Sequence, residues 1–407
     1  MPPAIPPLPD PSARTLLVTL TGRDRPGVTS AVFDAASTVG AEVLDLEQVV
    51  VRGHLALSFL LSTGRDENVL VDRLTRAGER MGMHVELVAG RGDNAPRRRG
   101  RAAVVLMGSP LETRHVAAVA RTVAEHGANI DRIHRLSRWP VTTVELTVSG
   151  ADVDRLRRAL ALVSADVGAD IAVSPAGLAR RGARLVVMDV DSTLIQDEVI
   201  ELIAEHAGTA EEVAAVTERA MRGELDFSES LDQRVATLAG LPVEVLDEVR
   251  TAVRLTPGAR TLVRTLKALG FTVALVSGGF AEVVEPIARE LGVDHVRANR
   301  LEVVDGRLTG RVVGDVVDRA GKAAALREIA AVLGLPLTRT VAIGDGANDL
   351  DMLGAAGLGV AFNAKPLVRE QADTSVNVPY LDTVLFLLGV SRDEIEDAET
   401  EGADTEA

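Results

Sequence analysis

The sequence lacks cysteine and has few aromatic residues. Its 407 residues include one Trp, one Tyr and seven Phe, while 46% of the chain is hydrophobic. Without cysteine the protein has no disulfide, no thiolate nucleophile and no cysteine-ligated zinc. Aliphatic side chains must therefore build the cores, and the length predicts about two to four globular domains.

Long apolar runs and an excess of positive charge are also missing. No run of about 18 apolar residues occurs, so the sequence predicts no membrane span. The starting stretch MPPAIPPLPDPSA lacks the basic and apolar segments of a signal peptide, which predicts a cytoplasmic protein. A net charge of −15 argues against nucleic acid as a partner. Two terminal segments are predicted to be disordered, the Pro-rich residues 1–13 and the acidic residues 391–407.

Residues 14–90 and 101–177 are two copies of one pattern. TLLVTLTG (15–22) in the first copy corresponds to AAVVLMG (102–108) in the second, and a helical stretch follows each. Both copies continue as strand, strand, helix and strand. This β-α-β-β-α-β order predicts two ferredoxin-like domains. The stretch between them, GRGDNAPRRRG, predicts a solvated linker.

A different pattern occupies residues 183–390. Short, wholly apolar strands alternate there with helical stretches, which predicts a doubly wound, Rossmann-like parallel sheet with helices on both faces. A longer helical insertion at about 197–258 predicts a small cap that closes over a site. The apolar segments of the sheet are LVVMDVD, FTVALVSGG, TVAIGDGAND and GLGVAFN.

Polar residues gather where these strands end, which is where open α/β sheets bind ligands. Singly, each cluster has an ordinary structural explanation as a helix cap, a turn or a surface lysine. Carboxylates crowded at one sheet edge repel each other, however, and a hard cation such as Mg2+ relieves that repulsion. The four clusters are Asp189 with Asp191; Ser277 with Gly278 and Gly279; Lys322; and Asp345 with Asn348 and Asp349.

In order and composition, the motifs DVDST, VSGG, Lys322 and GDGANDLDML resemble those of the haloacid-dehalogenase-like phosphotransferases. The resemblance implies that Asp189 attacks phosphorus and that Asp191 serves as general acid and base. It also implies a bound Mg2+ ion with oxygen ligands. The implied ligands are Asp189, the backbone carbonyl of Asp191, Asp345 and, through water, Asp349.

The remaining motif residues are implied to bind the substrate. Ser277 and the amides of Gly278 and Gly279 would hold phosphate oxygens, since glycine lets the backbone approach closely. Lys322 would neutralise charge on the nucleophile and on the phosphoryl group. Asn348 is likewise implied to contact the substrate.

Five longer stretches between residues 185 and 385 extend the match: DVDSTLIQDEVIELIAEHAG, AMRGELDFSESLDQRV, VSGGFAEVVEPIARELG, ANRLEVVDGRLTG and GDGANDLDMLGAAGLGVAFNAKP. They resemble the phosphoserine phosphatase family. This implies Mg2+-dependent hydrolysis of O-phospho-L-serine to L-serine and phosphate, the last step of serine biosynthesis, through an aspartyl phosphate. In the cap, Glu198 is implied to bind the substrate's amine and Arg234 its carboxylate. Met221 and Phe227 are implied to shield the site.

The two N-terminal copies resemble ACT domains, which sense small molecules in amino-acid metabolism. TGRDRPGV (21–28) places a turn before a helix whose exposed amides could receive a carboxylate. The resemblance implies an amino-acid effector there, most sensibly L-serine, at Asp24, Gly27 and Val28. The second copy has MGSPLETRH (107–115) instead and departs from this pattern. ACT domains also pair through their sheets, which implies a homodimer, and purely architectural modules remain the alternative.

Two other functions stay open on the sequence. The chain could be a haloacid-dehalogenase-like phosphatase for another small phosphate ester, such as a phosphosugar, with Glu198 and Arg234 as ordinary helix charges. It could also be an ACT-based amino-acid sensor whose phosphatase domain is vestigial. The intact motifs argue against a vestigial domain, because a dead site has no reason to keep Asp189, Asp191 and Lys322 together.

Overall fold

The computed structural model describes residues 12–63, 66–92, 100–176, 184–221 and 224–405. Side chains are not described at 220–221 and 399–405. The chain divides into two compact units, Met1–Arg97 and Arg98–Ala407. Most of the predicted N-terminal arm and of the predicted linker lies outside the described residues. Among the described helices, none has the length and apolarity needed to cross a membrane.

The first unit is a four-stranded antiparallel sheet with two helices. Its elements are β1 (Arg14–Arg23), α1 (Val28–Ser37), β2 (Val43–Val51), β3 (His54–Ser62), α2 (Glu67–Arg80) and β4 (His84–Arg91). The strand order β2-β3-β1-β4 is that of a ferredoxin-like domain. Every second side chain of β3, including Leu55, Leu57 and Phe59, is buried. This alternation is expected of a sheet that covers helices with one face only.

The second unit begins with another sheet of the same kind. Its elements are β5 (Ala102–Gly108), α3 (Thr113–Glu125), β6 (Asn129–Ser137), β7 (Thr142–Ser149), α4 (Val153–Val167) and β8 (Asp170–Pro175). The order β6-β7-β5-β8 repeats that of the first sheet. The structure therefore confirms the two predicted ferredoxin-like domains.

Strand β5 is buried on both of its faces. Val104 and Leu106 pack with α3 and α4, whereas Val105 and Met107 belong to the core of the following α/β domain. At the edge of this contact, the Asp170 carboxylate accepts a 2.8 Å hydrogen bond from the backbone N–H of Asn377. The uninterrupted apolar sequence of β5 thus results from packing on two sides.

The rest of the second unit is a seven-stranded sheet with helices on both faces. The strands are β9 (Leu185–Met188), β10 (Thr272–Phe280), β11 (His295–Val304), β12 (Arg307–Val313), β13 (Thr340–Gly344), β14 (Leu358–Phe362) and β15 (Thr374–Val376). Cap helices are α5 (Val199–Ala207), α6 (Ala210–Met221), α7 (Phe227–Ala236) and α8 (Val245–Ala252). The others are α9 (Ala259–Ala268), α10 (Ala281–Leu291), α11 (Arg319–Val332), α12 (Leu350–Ala355), α13 (Pro366–Gln371), α14 (Val384–Leu387) and α15 (Arg392–Thr405).

The order of this sheet is β12-β11-β10-β9-β13-β14-β15, and only the β11–β12 pair is antiparallel among the described strands. The fold class predicted from the apolar strands is confirmed. The first strand, β9, lies between β10 and β13. The chain therefore adds β10 to β12 on one side of β9 and then β13 to β15 on its other side, which makes β9 the topological switch point of the sheet. Ligands bind at such switch points, beyond the carboxyl ends of the strands.

The C-terminal segment differs from the predicted disorder. It contains α15, and Ile395 of this helix is fully buried in the core. Arg392 forms an ion pair with Asp382 at 3.0 Å, and Glu394 accepts a hydrogen bond from the backbone N–H of Ser391 at 2.7 Å. Burial of Ile395 and the capped first turn therefore stabilise this helix, although the acidic composition of the segment indicated disorder.

Candidate active site

The turn after β9 brings two aspartates and a cap residue together. Asp189 follows the strand, is only 3% exposed, and its Oδ1 accepts a hydrogen bond from Val190 N–H at 2.8 Å. Ser192 has φ of 56°, in the left-handed region that non-glycine residues rarely occupy. Its Oγ donates to Glu198 Oε1 at 2.9 Å, and Asp191 Oδ1 accepts from Val199 N–H at 2.8 Å. The strained turn thereby places Asp189, Asp191 and Glu198 around one space.

The neighbouring strand β13 ends beside this turn. The backbone N–H of Asp189 donates to Ile343 O at 2.9 Å, and Thr193 Oγ1 donates to Asp345 Oδ1 at 3.3 Å. One carboxylate oxygen from each of Asp189, Asp345 and Asp349 lies within 4.8 Å of the others. Asp345 and Asp349 follow Asp189 by 156 and 160 positions. They lie close to it because the parallel strands β9 and β13 end at the same edge of the sheet.

Lys322 of α11 neutralises part of this acidic cluster. Its Nζ lies 2.7 Å from Asp189 Oδ1 and 2.8 Å from Asp349 Oδ1, and the side chain is fully buried. Burial disfavours the ammonium form, but the two carboxylates outweigh it and raise the pKa of Lys322. One positive charge among three carboxylates leaves the cluster negative, and all its free donors are hard oxygens. That donor set suits a divalent cation such as Mg2+.

Burial also changes the acids themselves. It raises the pKa of Asp189 well above its ordinary value, although Lys322 acts in the opposite direction. Burial likewise raises the pKa of Asp191. For Asp345, burial and then the nearby Asp349 raise the pKa to about 6. Removing carboxylates from water penalises their charged form, so protonation of one member of the cluster becomes easier at neutral pH.

The loop at the end of β10 lies against Asp191. Ser277 is fully buried; its Oγ donates to Asp191 Oδ2 at 3.2 Å and accepts from Gly279 N–H at 2.7 Å. A Cβ atom on Gly279 would lie 2.9 Å from that same Asp191 oxygen. Only glycine fits at position 279, because a side chain there would push the loop away from Asp191.

The cap contributes two opposite charges to the same pocket. Burial, followed by repulsion from Asp191, raises the pKa of Glu198 to about 7. Burial lowers the pKa of Arg234, whose Nε donates to Ser230 O at 3.3 Å. Within the described residues, no carboxylate lies within ion-pair distance of the Arg234 guanidinium. Two desolvated, incompletely paired charges are thus available to a ligand.

These groups surround a cavity of about 280 Å³, of the size that suits a small metabolite. Phe227 closes it from the cap, since a Cβ atom on Gly278 would lie 3.3 Å from Phe227 Cζ. Ser277 and Asp349 are fully buried and are not among the residues that line the cavity. The side chain of Met221 is outside the described part. The predicted residues that line the cavity are Asp189, Asp191, Glu198, Phe227, Arg234, Gly278, Gly279, Lys322, Asp345 and Asn348.

Other residues of the site were not predicted from the sequence. Ser192 and Thr193 bond to Glu198 and Asp345, and the exposed Lys365 lines the cavity. A signal for Lys365 existed. The chain has 44 basic residues but only three lysines, and two of these three, Lys322 and Lys365, line the cavity.

The predicted effector residues lie together at the connection from β1 to α1. Gly27 has φ of 93° and precedes the first residue of α1, Val28, which is buried. Asp24 is exposed, and its backbone N–H donates to Gly53 O at 2.8 Å. Gly27 offers no side-chain cap, so the first amides of α1 have no side-chain partner from their own cap residue.

Comparison with known proteins accounts for almost the whole chain. Residues 186–354 match the haloacid dehalogenase-like hydrolase family, and residues 14–88 and 101–174 each match an ACT domain family. The chain is 58% identical over 388 residues to a phosphoserine phosphatase of Streptomyces coelicolor, covering 95% of both chains. It is 53% identical over 396 residues to a phosphoserine phosphatase of Mycobacterium tuberculosis, covering 96% of both.

A solved structure gives the same answer for the fold. The unliganded probable phosphoserine phosphatase of Vibrio cholerae is 35% identical, with a TM-score of 0.57 over 74% of this chain and 88% of that one. Together with the acidic cluster, the glycine loop and the charged cap, these findings confirm the resemblance stated from the sequence. The chain belongs to the phosphoserine phosphatase family of haloacid-dehalogenase-like hydrolases, with two ACT domains preceding the hydrolase domain.

Proposed function

We propose that this chain hydrolyses O-phospho-L-serine to L-serine and phosphate with the help of Mg2+. One observation carries the choice of substrate: Glu198 and Arg234, opposite in charge and largely buried, line the same small cavity as Asp189. An α-amino acid presents an ammonium and a carboxylate on one carbon. A cavity with one partner for each selects that backbone over a sugar.

The residues fit a Mg2+ ion at the acidic cluster. Asp189, Asp345 and Asp349 supply oxygens within 4.8 Å of one another, and oxygen is the ligand that Mg2+ prefers. When bound, the ion would neutralise charge on the nucleophile and on the phosphoryl oxygens. We retain the proposed ligand set of Asp189, Asp345 and the Asp191 carbonyl, with Asp349 acting through water.

In the first chemical step, an Asp189 oxygen attacks phosphorus and the bond to the serine oxygen breaks. The two hydrogen bonds to Asp189 in the described residues both go to Oδ1, from Val190 N–H and Lys322 Nζ. Oδ2 therefore keeps its lone pairs for the attack. Asp191 donates its proton to the departing alkoxide, a role that the raised pKa of its buried carboxyl favours.

In the second step, water hydrolyses the aspartyl phosphate. Asp191, now ionised, takes a proton from the attacking water, and Asp189 is regenerated as phosphate leaves. Lys322 remains beside Asp189 in both steps and offsets its charge. The amide of Gly278, together with Asn348, holds the phosphoryl oxygens, and Phe227 excludes bulk water from the cap side. The Gly279 N–H, which the sequence also assigned to phosphate, donates to Ser277 Oγ instead.

We further propose that an amino acid binds to the N-terminal domains and regulates the activity of the hydrolase domain. L-Serine bound at Asp24, Gly27 and Val28 would reach a helix start that lacks a side-chain cap.

We also propose a homodimer formed through the sheets. Leu17 and Val88, neighbours on adjacent strands, are 41% and 50% exposed, and apolar pairs of this kind favour burial. A biosynthetic role further suggests a cytoplasmic location.

Phosphate release from a panel of esters tests the proposed function. We expect rapid release from phosphoserine, slower release from phosphothreonine and little from sugar phosphates, with loss of activity in EDTA and recovery on adding Mg2+. Faster turnover of a sugar phosphate would assign the same chemistry to another substrate. Turnover unaffected by EDTA would remove Mg2+ from the mechanism.

A further inference from the structure

Asn299 is a buried amide whose hydrogen bonds lead to the active site. It lies in β11 and is only 1% exposed. Its Nδ2 donates to Gly278 O at 2.7 Å, and its Oδ1 accepts from Val317 N–H at 2.8 Å. The pairing of β10 with β11 is interrupted here, because Ser277 pairs with Ala298 while Phe280 pairs with Asn299. Two residues of β10 therefore bulge out of the ladder.

The first bond of Asn299 fixes the orientation of one peptide group in this bulge. The carbonyl of Gly278 and the N–H of Gly279 belong to the same planar trans peptide and point in opposite directions. Drawing the carbonyl toward Asn299 turns the N–H toward Ser277 Oγ, to which it donates at 2.7 Å. Ser277 Oγ in turn donates to Asp191 Oδ2 at 3.2 Å. A continuous chain of hydrogen bonds thus joins Asn299 to Asp191.

The second bond of Asn299 reaches the helix that carries Lys322. Val317 directly precedes Asp318, whose Oδ1 accepts from Gly321 N–H at 2.7 Å and caps the start of α11. Lys322 is the next residue of that helix. The side chain of Asn299 therefore links two parts of the site. One is the glycine loop beside Asp191, and the other is the start of α11, which carries Lys322.

We infer that Asn299 is a positioning residue for phosphoryl transfer: it orients the Gly278–Gly279 peptide and, through Ser277, the carboxylate of Asp191. The inference rests on the proposed function. A merely structural asparagine would satisfy two buried backbone groups and affect stability alone. A positioning residue also affects the step that needs the proton of Asp191.

Two substitutions separate these roles. Asn299→Asp keeps an acceptor for Val317 N–H but sets an oxygen against Gly278 O, while Asn299→Leu removes both bonds at similar size. Turnover is measured with phosphoserine, whose alkoxide needs a proton, and with p-nitrophenyl phosphate, whose leaving group does not. Because misplaced general acids cost about 100-fold or more, we expect kcat/KM, which reports only the steps up to departure of the alcohol, to fall about 100-fold on phosphoserine but at most about tenfold on the aryl ester.

Asn377→Asp is the matched control. Asn377 also donates through Nδ2 to a buried oxygen, Asp170 Oδ1 at 2.5 Å, and it does not line the cavity. We expect this variant to lower the unfolding temperature and to leave the ratio of the two kcat/KM values unchanged. An Asn299→Asp protein that is folded and has the ratio of the parent overturns the inference. A parent protein that is inactive on phosphoserine would instead overturn the proposed function.

Discussion

The catalytic pocket and the helix start of the first ACT domain both place polar groups at the end of a strand, but they differ in burial. Asp189 and Lys322 are 3% and 1% exposed, whereas Asp24 and Gly27 are exposed. In the pocket, removal from water strengthens each charge interaction and changes proton affinities. At the exposed helix start, water screens the same kinds of group. We therefore expect function to depend on a charge more through its burial than through its position after a strand.

The largest effect is expected from the buried nucleophile. Asp189→Asn keeps the shape of the side chain but removes its charge and nucleophilicity, so kcat should fall at least about ten-thousand-fold. Asp34→Asn, an equivalent change at an exposed position of α1, should leave kcat within about twofold. Steady-state kinetics measure both variants, with circular dichroism to verify folding. An equal loss in Asp34→Asn would show that burial does not explain the importance of Asp189.

A smaller loss is expected from the buried charges that recognise the substrate. Glu198→Gln and Arg234→Leu should each lower kcat/KM for phosphoserine about 30- to 100-fold, or ~2–3 kcal/mol, because each leaves a desolvated charge of the substrate without its partner. Turnover of p-nitrophenyl phosphate, which lacks both groups, should change less than about threefold. Equal losses on both esters would mean that these charges support the cap and do not select the substrate.

The pH dependence of kcat/KM should report the burial of Glu198. Its pKa is raised to about 7, so the carboxylate that binds an ammonium is lost as the pH falls through 7. We expect kcat/KM for phosphoserine to decrease from pH 8 to about pH 6, by up to about tenfold per pH unit. In Glu198→Gln this part of the profile should be flat at a lower level. A profile identical to that of the parent would assign the titration to another group.

Lys365 places an exposed positive charge at the pocket, and replacing it tests how much such a charge contributes. It is exposed at the cavity, so we expect it to attract the anionic substrate through long-range electrostatics. Lys365→Gln should lower kcat/KM about three- to fivefold at low ionic strength, with the difference vanishing in about 0.5 M salt. Lys365→Arg should restore the rate. A loss that persists in salt would instead indicate a direct, desolvated contact.

The smallest catalytic effect is expected at the first ACT domain. Gly27→Ala should reduce the free energy of unfolding by about 1 kcal/mol, since φ of 93° is strained for alanine, and should abolish L-serine binding without changing kcat. Gly127→Ala, at φ of 69° in the second ACT domain, should cost similar stability and leave binding intact. Urea unfolding and isothermal titration of the full chain measure both. Equal binding in the two variants would sink the assignment of the effector site.

Much of the fold and of the site was predictable because local patterns determine them. Apolar strands ending in Asp189 and Asp345 predict a parallel sheet with a polar edge, and the sheet edge then brings both together. Contacts between distant segments were not predictable. The bond from Thr193 to Asp345 spans 152 positions, and the role of Asn299 depends on a bulge in the neighbouring strand. The C-terminal helix buries Ile395 in the core, a long-range contact that the acidic composition of the segment does not indicate.

Trapping the covalent intermediate shows directly whether Asp189 carries the phosphoryl group. Parent protein turning over phosphoserine would be quenched in acid within milliseconds, reduced with borohydride and digested for mass spectrometry. We expect the phosphorylated carboxyl, converted to homoserine by reduction, at Asp189, and no such product in Asp189→Asn. Trapping at a different residue, or steady turnover with no trapped product at Asp189, would show that Asp189 is not the nucleophile.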